Sequence, residues 1–169
     1  MLTTSQTAPF GRVVSVRGSQ ARVGLLPSSH VTPFTARATV GQFFGIRTTT
    51  TTLIAMITEV SCEGIAAGEK YIAVASVDLL GEISHGPSGR FQRGVTGYPT
   101  IGDSVDILTN QELRTVYAPL KPDQINIGNL QQDPSVIAYV DVEDMLSKHF
   151  AVLGSTGVGK SSGVSLLLN

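Results

Sequence analysis

Residues 10–25 read FGRVVSVRGSQARVGL. Phe10–Arg17 and Gln20–Leu25 are short runs rich in β-branched residues around a Gly18-Ser19 pair. Branched side chains fit a pleated surface, and a Gly-Ser pair between two such runs predicts a β-hairpin.

Working outward, the same grammar continues. Residues 1–9 read as a loose tail and Pro27–Pro33 as a loop, while Phe43–Arg47 (FFGIR) is strand-like. The threonine run Thr48–Thr52 reads as exposed strand rather than as a catalytic or phosphorylatable cluster. Leu53–Val60 (LIAMITEV) and Tyr71–Leu80 (YIAVASVDLL) are the strongest apolar runs, joined by the Gly-bearing CEGIAAGEK. Segment 81–102 is rich in Gly, Pro and Ser, and Ser104–Leu108 is another short strand. No amphipathic helix is evident up to residue 115. Many short strands separated by Gly/Pro turns predict a mainly β fold, a small closed barrel of about six or seven strands over residues 10–115.

The bulk composition agrees with a folded domain. Of 169 residues, 41% are apolar and 15% charged, which disfavours disorder. The formal net charge is −1, with no basic stripe, so this stretch does not bind nucleic acid by general electrostatic attraction. The single cysteine, Cys62, excludes an intrachain disulfide and a thiolate metal cluster, and reads as a structural or incidental thiol. The opening MLTTSQTAPF lacks the charged and apolar regions of a signal peptide, and no run approaches the length of a membrane span. The expectation is a cytoplasmic protein with no membrane partner.

From residue 116 to 149 the character changes. APLKPDQINIGNLQQDP (118–134), with three prolines and several amides, reads as a connector. Ser135–Val140 is a strand. Asp141 then caps a short helix, Glu143 and Asp144 sit at its positive end, and Lys148 and His149 close its negative end. A metal site built on the three acids is the weaker reading.

Phe150–Leu153 is expected to be a buried strand, Gly154–Ser161 (GSTGVGKS) a loop, and Ser162–Leu168 the start of an apolar helix. This order fits G-x-x-x-x-G-K-[ST], the phosphate-binding P-loop. Gly154, Gly157 and Gly159 let the backbone curl so that N–H groups point at phosphate oxygens, and the helix N-terminus adds partial positive charge. Lys160 is the candidate catalytic residue, reaching the β- and γ-phosphates, and the Ser161 hydroxyl is the candidate Mg²⁺ ligand. The nucleotide-binding set is Gly154, Ser155, Thr156, Gly157, Val158, Gly159, Lys160, Ser161 and Ser162. Further parallel strands, an acidic strand end for Mg²⁺ and water, and a trans-acting arginine are not found in the eight residues after Ser161. The 169 residues alone are therefore expected not to hydrolyse ATP efficiently, and 150–169 to be the truncated start of an α/β ATPase domain.

Several stretches together resemble the HerA-like ATPases, within the HerA/FtsK group of hexameric DNA translocases. They are GRVVSVRGSQARV (11–23), VDLLGEIS (77–84), FQRGVTGYPTIGDSV (91–105), the spacing IG.L..D from Ile127 to Asp133, and SKHFAVLGSTGVGKSS (147–162). The resemblance covers nearly all of the chain. It implies a barrel like that at the crown of rotary ATP synthase subunits, serving ring assembly, and ATP and Mg²⁺ as cofactors. It further implies a nuclease of the NurA type, or another effector, docked on the barrel. Duplex DNA would be driven by the remainder of the ATPase core, in DNA end processing or phage defence. Val158 stands where the family often has Ser, a position that contributes mainly its backbone N–H.

Other residues invite assignment. Arg93 reads as a loop brace before a subunit contact, and His149 as a helix-end histidine before a nucleotide sensor. His30 and His85 read as solvent-exposed, and Phe91 and Tyr98 either anchor a partner or plug one barrel end. The rival readings are a GTPase or secretion-type ATPase carrying its own barrel, and a pure interaction module.

Overall fold

The computed structural model describes residues 9–27, 38–62, 73–86, 89–119, 121, 124–149 and 151–168, without the side chains of 166–168. His30 and Phe150 lie outside the described residues. The chain divides into two compact units, 1–109 and 110–169.

The first unit is built on β1 (Gly11–Arg17), β2 (Gln20–Leu25), β3 (Phe43–Arg47), β4 (Thr51–Ser61), β5 (Ala73–Ser84), β6 (Phe91–Arg93) and β7 (Ser104–Ile107). The predicted first hairpin forms, with Arg17 opposite Gln20 and Gly18 at φ +57°. Strand order is β2-β1-β7-β3-β4-β5, and β5 returns to pair with β2, so six antiparallel strands close into a barrel. β6 lies outside the closed set, on the far half of β5. This is the mainly β barrel expected from the sequence.

Alternation along each strand fills the barrel. Val13, Val23, Phe44, Ile46, Leu53, Ile57, Val77 and Val105 are at most 1% exposed and belong to one apolar cluster. Each such side chain contributes about 1.5–3 kcal/mol by leaving water. Irregularities in the β1–β2 and β4–β5 registers bend the strands, as a small closed barrel requires.

The threonine run differs from the reading as exposed strand. Thr48 to Thr50 make the β3–β4 turn: the Thr48 hydroxyl donates to the Thr51 carbonyl at 2.8 Å, and the Thr51 amide donates back to Thr48 Oγ1 at 3.1 Å. Thr52 is buried, its hydroxyl taking a 3.0 Å bond from the Arg47 guanidinium and lying 2.9 Å from His85 Nε2. Self-capping hydroxyls favour turns over ladders, which explains the difference. His85 is exposed, as expected.

Phe91 packs across the sheet on Gly81. A Cβ built on Gly81 would lie 2.5 Å from Phe91 Cε2 and closer still to the Gln92 carbonyl oxygen. The ring thus covers backbone that a side chain would otherwise hide. Phe91 thus covers the outer half of β5, and neither a partner contact nor the plug of a barrel end is seen in this packing. Tyr98, on the loop that follows, remains 60% exposed.

In the second unit, α1 (Asn110–Val116) is followed by β8 (Gln124–Asn129), β9 (Ile137–Asp141), α2 (Val142–Leu146) and α3 (Lys160–Leu168). A helix thus occupies residues read as the barrel's end, and β8 occupies residues read as connector, pairing with β9 where the sequence predicts a strand over Ser135–Val140. Only Leu113 and Val136 are buried apolar side chains among the described residues of this unit. No helix of the described residues is long and apolar enough to cross a membrane.

Candidate nucleotide-binding site

Asp141 sets the start of α2, the element before the loop. Its carboxylate caps α2, accepting from the Asp144 amide at 2.9 Å, and takes a 2.7 Å ion pair from Lys121. The Lys121 hydrogen bond and then the Asp144 amide hold the Asp141 pKa below its ordinary value, and the same carboxylate raises that of Lys121. Capping is therefore what Asp141 does. Among the described residues no group of acids, histidines or cysteines is placed to hold a metal ion.

The helix ends sooner than the sequence suggests. Ser147 is its C-cap, so His149 lies beyond it and is exposed. Lys148 still engages the helix end, with its amide on the Met145 carbonyl at 3.3 Å and its ammonium 3.7 Å from Asp144.

Ala151–Leu153 correct a second expectation. They are exposed and make no strand pairing, with Leu153 89% exposed. A parallel strand takes its ladder and its cover from flanking strands and helices, and the described residues supply none beside it.

The loop itself takes the predicted curl. Gly157 and Gly159 have φ of +86° and +82°, in the region where a side chain is strained. Gly154 is required for another reason, since a Cβ there would sit 2.8 Å from Val158 Cγ2. Val158 therefore contributes a methyl as well as an N–H, a contact that its place in the motif does not signal. The Lys160 ammonium folds back and donates a 2.6 Å bond to the Ser155 carbonyl.

The Gly163 amide donates to the Gly159 carbonyl at 2.8 Å as the first helical bond of α3. The N–H groups of Lys160, Ser161 and Ser162 therefore precede the helical ladder and face the loop end. Ser161 and Ser162 are exposed there. Glycines in left-handed conformation, three amides at a helix start and a lysine on the loop fit a triphosphate. Ser161 brings the hydroxyl that in a loop of this pattern holds Mg²⁺. Arg93 is exposed at the end of β6 in the other unit, opposite Gly81.

The comparisons fall on these elements. A family model described as helicase HerA, central domain, matches residues 125–169, from the β8–β9 hairpin through α3. A probable DNA double-strand break repair helicase HerA of Methanocaldococcus jannaschii is 38% identical over 79 residues, 42% of this chain and 15% of that protein. The DNA double-strand break repair helicase HerA of Pyrococcus furiosus is 32% identical over 105 residues, 62% of this chain and 18% of that protein. The chain thus spans less than a fifth of either relative. Residues 125–169, from the hairpin through the glycine-rich loop and α3, are thus similar to the HerA central domain, and a closed barrel precedes them.

Proposed function

We propose that the chain provides the barrel and the phosphate-binding loop of an ATP-driven DNA translocase that works as a hexameric ring. The observation that carries this reading is the loop. Its left-handed glycines and the amides at the start of α3 suit the β- and γ-phosphates of ATP. Lys160 would turn from the Ser155 carbonyl to the phosphates, and the Ser161 hydroxyl would ligate Mg²⁺. Bound Mg²⁺ offsets charge that develops on the transferred phosphoryl group.

The DNA role comes from the relatives, which are named as double-strand break repair helicases. The barrel is assigned to assembly and docking, with a neighbouring copy or a NurA-type nuclease as partner. Its support is an apolar core built from the barrel's own strands, plus Tyr98 and Ile101, which are 60% and 74% exposed on one loop. A cytoplasmic location follows from such a role.

The test is ATP turnover by the full-length protein carrying Lys160→Ala. A loss of about 100-fold or more is expected, because the ammonium is the loop's cation for the transferred phosphoryl group. The circular dichroism should not change. Undiminished turnover overturns the assignment.

A further inference from the structure

Glu82 is a buried carboxylate that nucleotide chemistry does not use. It is 5% exposed on β5, between Leu53 of β4 and Gln92 of β6 in the sheet register. Carboxylates are rarely buried unless their oxygens are bonded, because losing water costs several kcal/mol. Both Glu82 oxygens are bonded, and to one residue. The Thr96 hydroxyl donates to Oε1 at 2.7 Å and the Thr96 amide to Oε2 at 3.1 Å.

Thr96 stands at the near end of the loop that runs from Gly94 to Asp103. The far end is fastened several times. Thr100 donates its amide and hydroxyl to Asp103, the Gly102 amide donates to the Val13 carbonyl, the Arg12 guanidinium donates to the Gly102 carbonyl at 2.7 Å, and Pro99 is buried. At the near end the Gly94 amide reaches the Leu80 carbonyl and Val95 packs partly buried against the barrel core, while Thr96 to Tyr98 are exposed. An apolar residue at position 82 would suit the buried site better but would leave that end with the Gly94 bond and the Val95 contact alone.

We infer that Glu82 is a latch: its charge-assisted bonds to Thr96 hold the loop from Gly94 to Asp103 against the barrel and so fix where Tyr98 stands. The latch needs no partner to exist. Its consequence for assembly rests on the docking role proposed above.

Amide hydrogen exchange of this chain, read residue by residue, tests it in Thr96→Val, Thr96→Ser and Glu82→Gln. Thr96→Val removes the hydroxyl, and exchange of the residue 96 amide, which donates to Glu82, should rise about tenfold or more, as loss of a charge-assisted bond implies. The β4 and β5 amides should keep their rates. Thr96→Ser keeps the donor and should behave as the parent. Glu82→Gln, with neutral bonds in place of charged ones, should fall between.

Unchanged exchange of the residue 96 amide in Thr96→Val overturns the latch. So does a rise shared equally by β4 and β5, which would make Glu82 a general core residue. Ring mass by light scattering of the full-length protein separates the two readings. Loss of the ring in both Tyr98→Ala and Thr96→Val ties the latch to assembly. A ring that survives Tyr98→Ala with Ile101→Ser removes the contact role from this loop and leaves the exchange result to decide the latch.

Discussion

Val158 closes over Gly154: its Cγ2 lies where a Cβ on Gly154 would approach to 2.8 Å. The first glycine of the loop is thus held by a contact four positions on, and not by its own backbone angle. Gly154→Ala should weaken binding of a non-hydrolysable ATP analogue about tenfold, a cost in the range of modest strain. Adding Val158→Ala removes the opposing methyls and should recover most of the loss. Isothermal titration of the two variants and the double mutant reads the coupling. Strict additivity would show that the contact plays no part.

Gly159→Ala should behave differently, because no second change relieves it. Its φ of +82° is open space for a Cβ but strained backbone for an L residue. Analogue affinity should fall by about tenfold or more, whatever stands at position 158.

Acidity and alkalinity act on the second unit through Asp141 and Lys121. The Asp141 pKa is lowered when folded, so its contribution is present above the unfolded value and is lost as pH falls through the lower folded one. That of Lys121 is raised, so its contribution is present below the ordinary lysine value and is lost as pH rises through the higher folded one. The pair should be intact between about pH 4 and 10 and should weaken with added salt. Asp141→Asn keeps a good cap and loses only the charge pair, whereas Asp141→Ala loses both. Carbon chemical shifts of residues 142–146 should stay helical in the first and move toward coil in the second.

The barrel's fringe can be probed at Phe91. Phe91→Ala should lower stability by about 1–2 kcal/mol, less than a core Phe because the ring is half-buried. Gly81→Ala should not be rescued by the same truncation, since the Gln92 carbonyl also stands in the way and is backbone. Urea denaturation of the single and double variants separates ring from backbone.

The barrel was the most legible part of the sequence. Alternation in Gln20–Leu25 and Ala73–Leu79 reports directly which side chains face inward, and the continuous apolar run Leu53–Ile57 marks a buried strand. The P-loop was equally legible, because its spacing encodes backbone shape. Less was visible where structure depends on few or distant groups. β8 reads QINIGN, polar and half-exposed, and resembles a connector until β9 pairs with it. α1 buries only Leu113, too little for a periodic signal. Ala151–Leu153 have a strand's composition but no ladder. Glu82 looks like one acid in an apolar run, and its role appears only when Thr96 folds back onto it.

The order in which the barrel is completed follows from its closure. Gln20 bonds to Asp78, 58 residues away, and the Phe10 amide reaches Asp106 across 96 residues. Contacts this distant bring loop-closure entropy into the folding barrier, so a barrel of this kind folds in milliseconds to seconds rather than microseconds. On a ribosome adding about 5–20 residues per second, β1 and β2 wait several seconds for the strands that cover them. Their edges are open to other chains during that wait, and a nascent-chain holdase is the factor whose absence this segment should feel first.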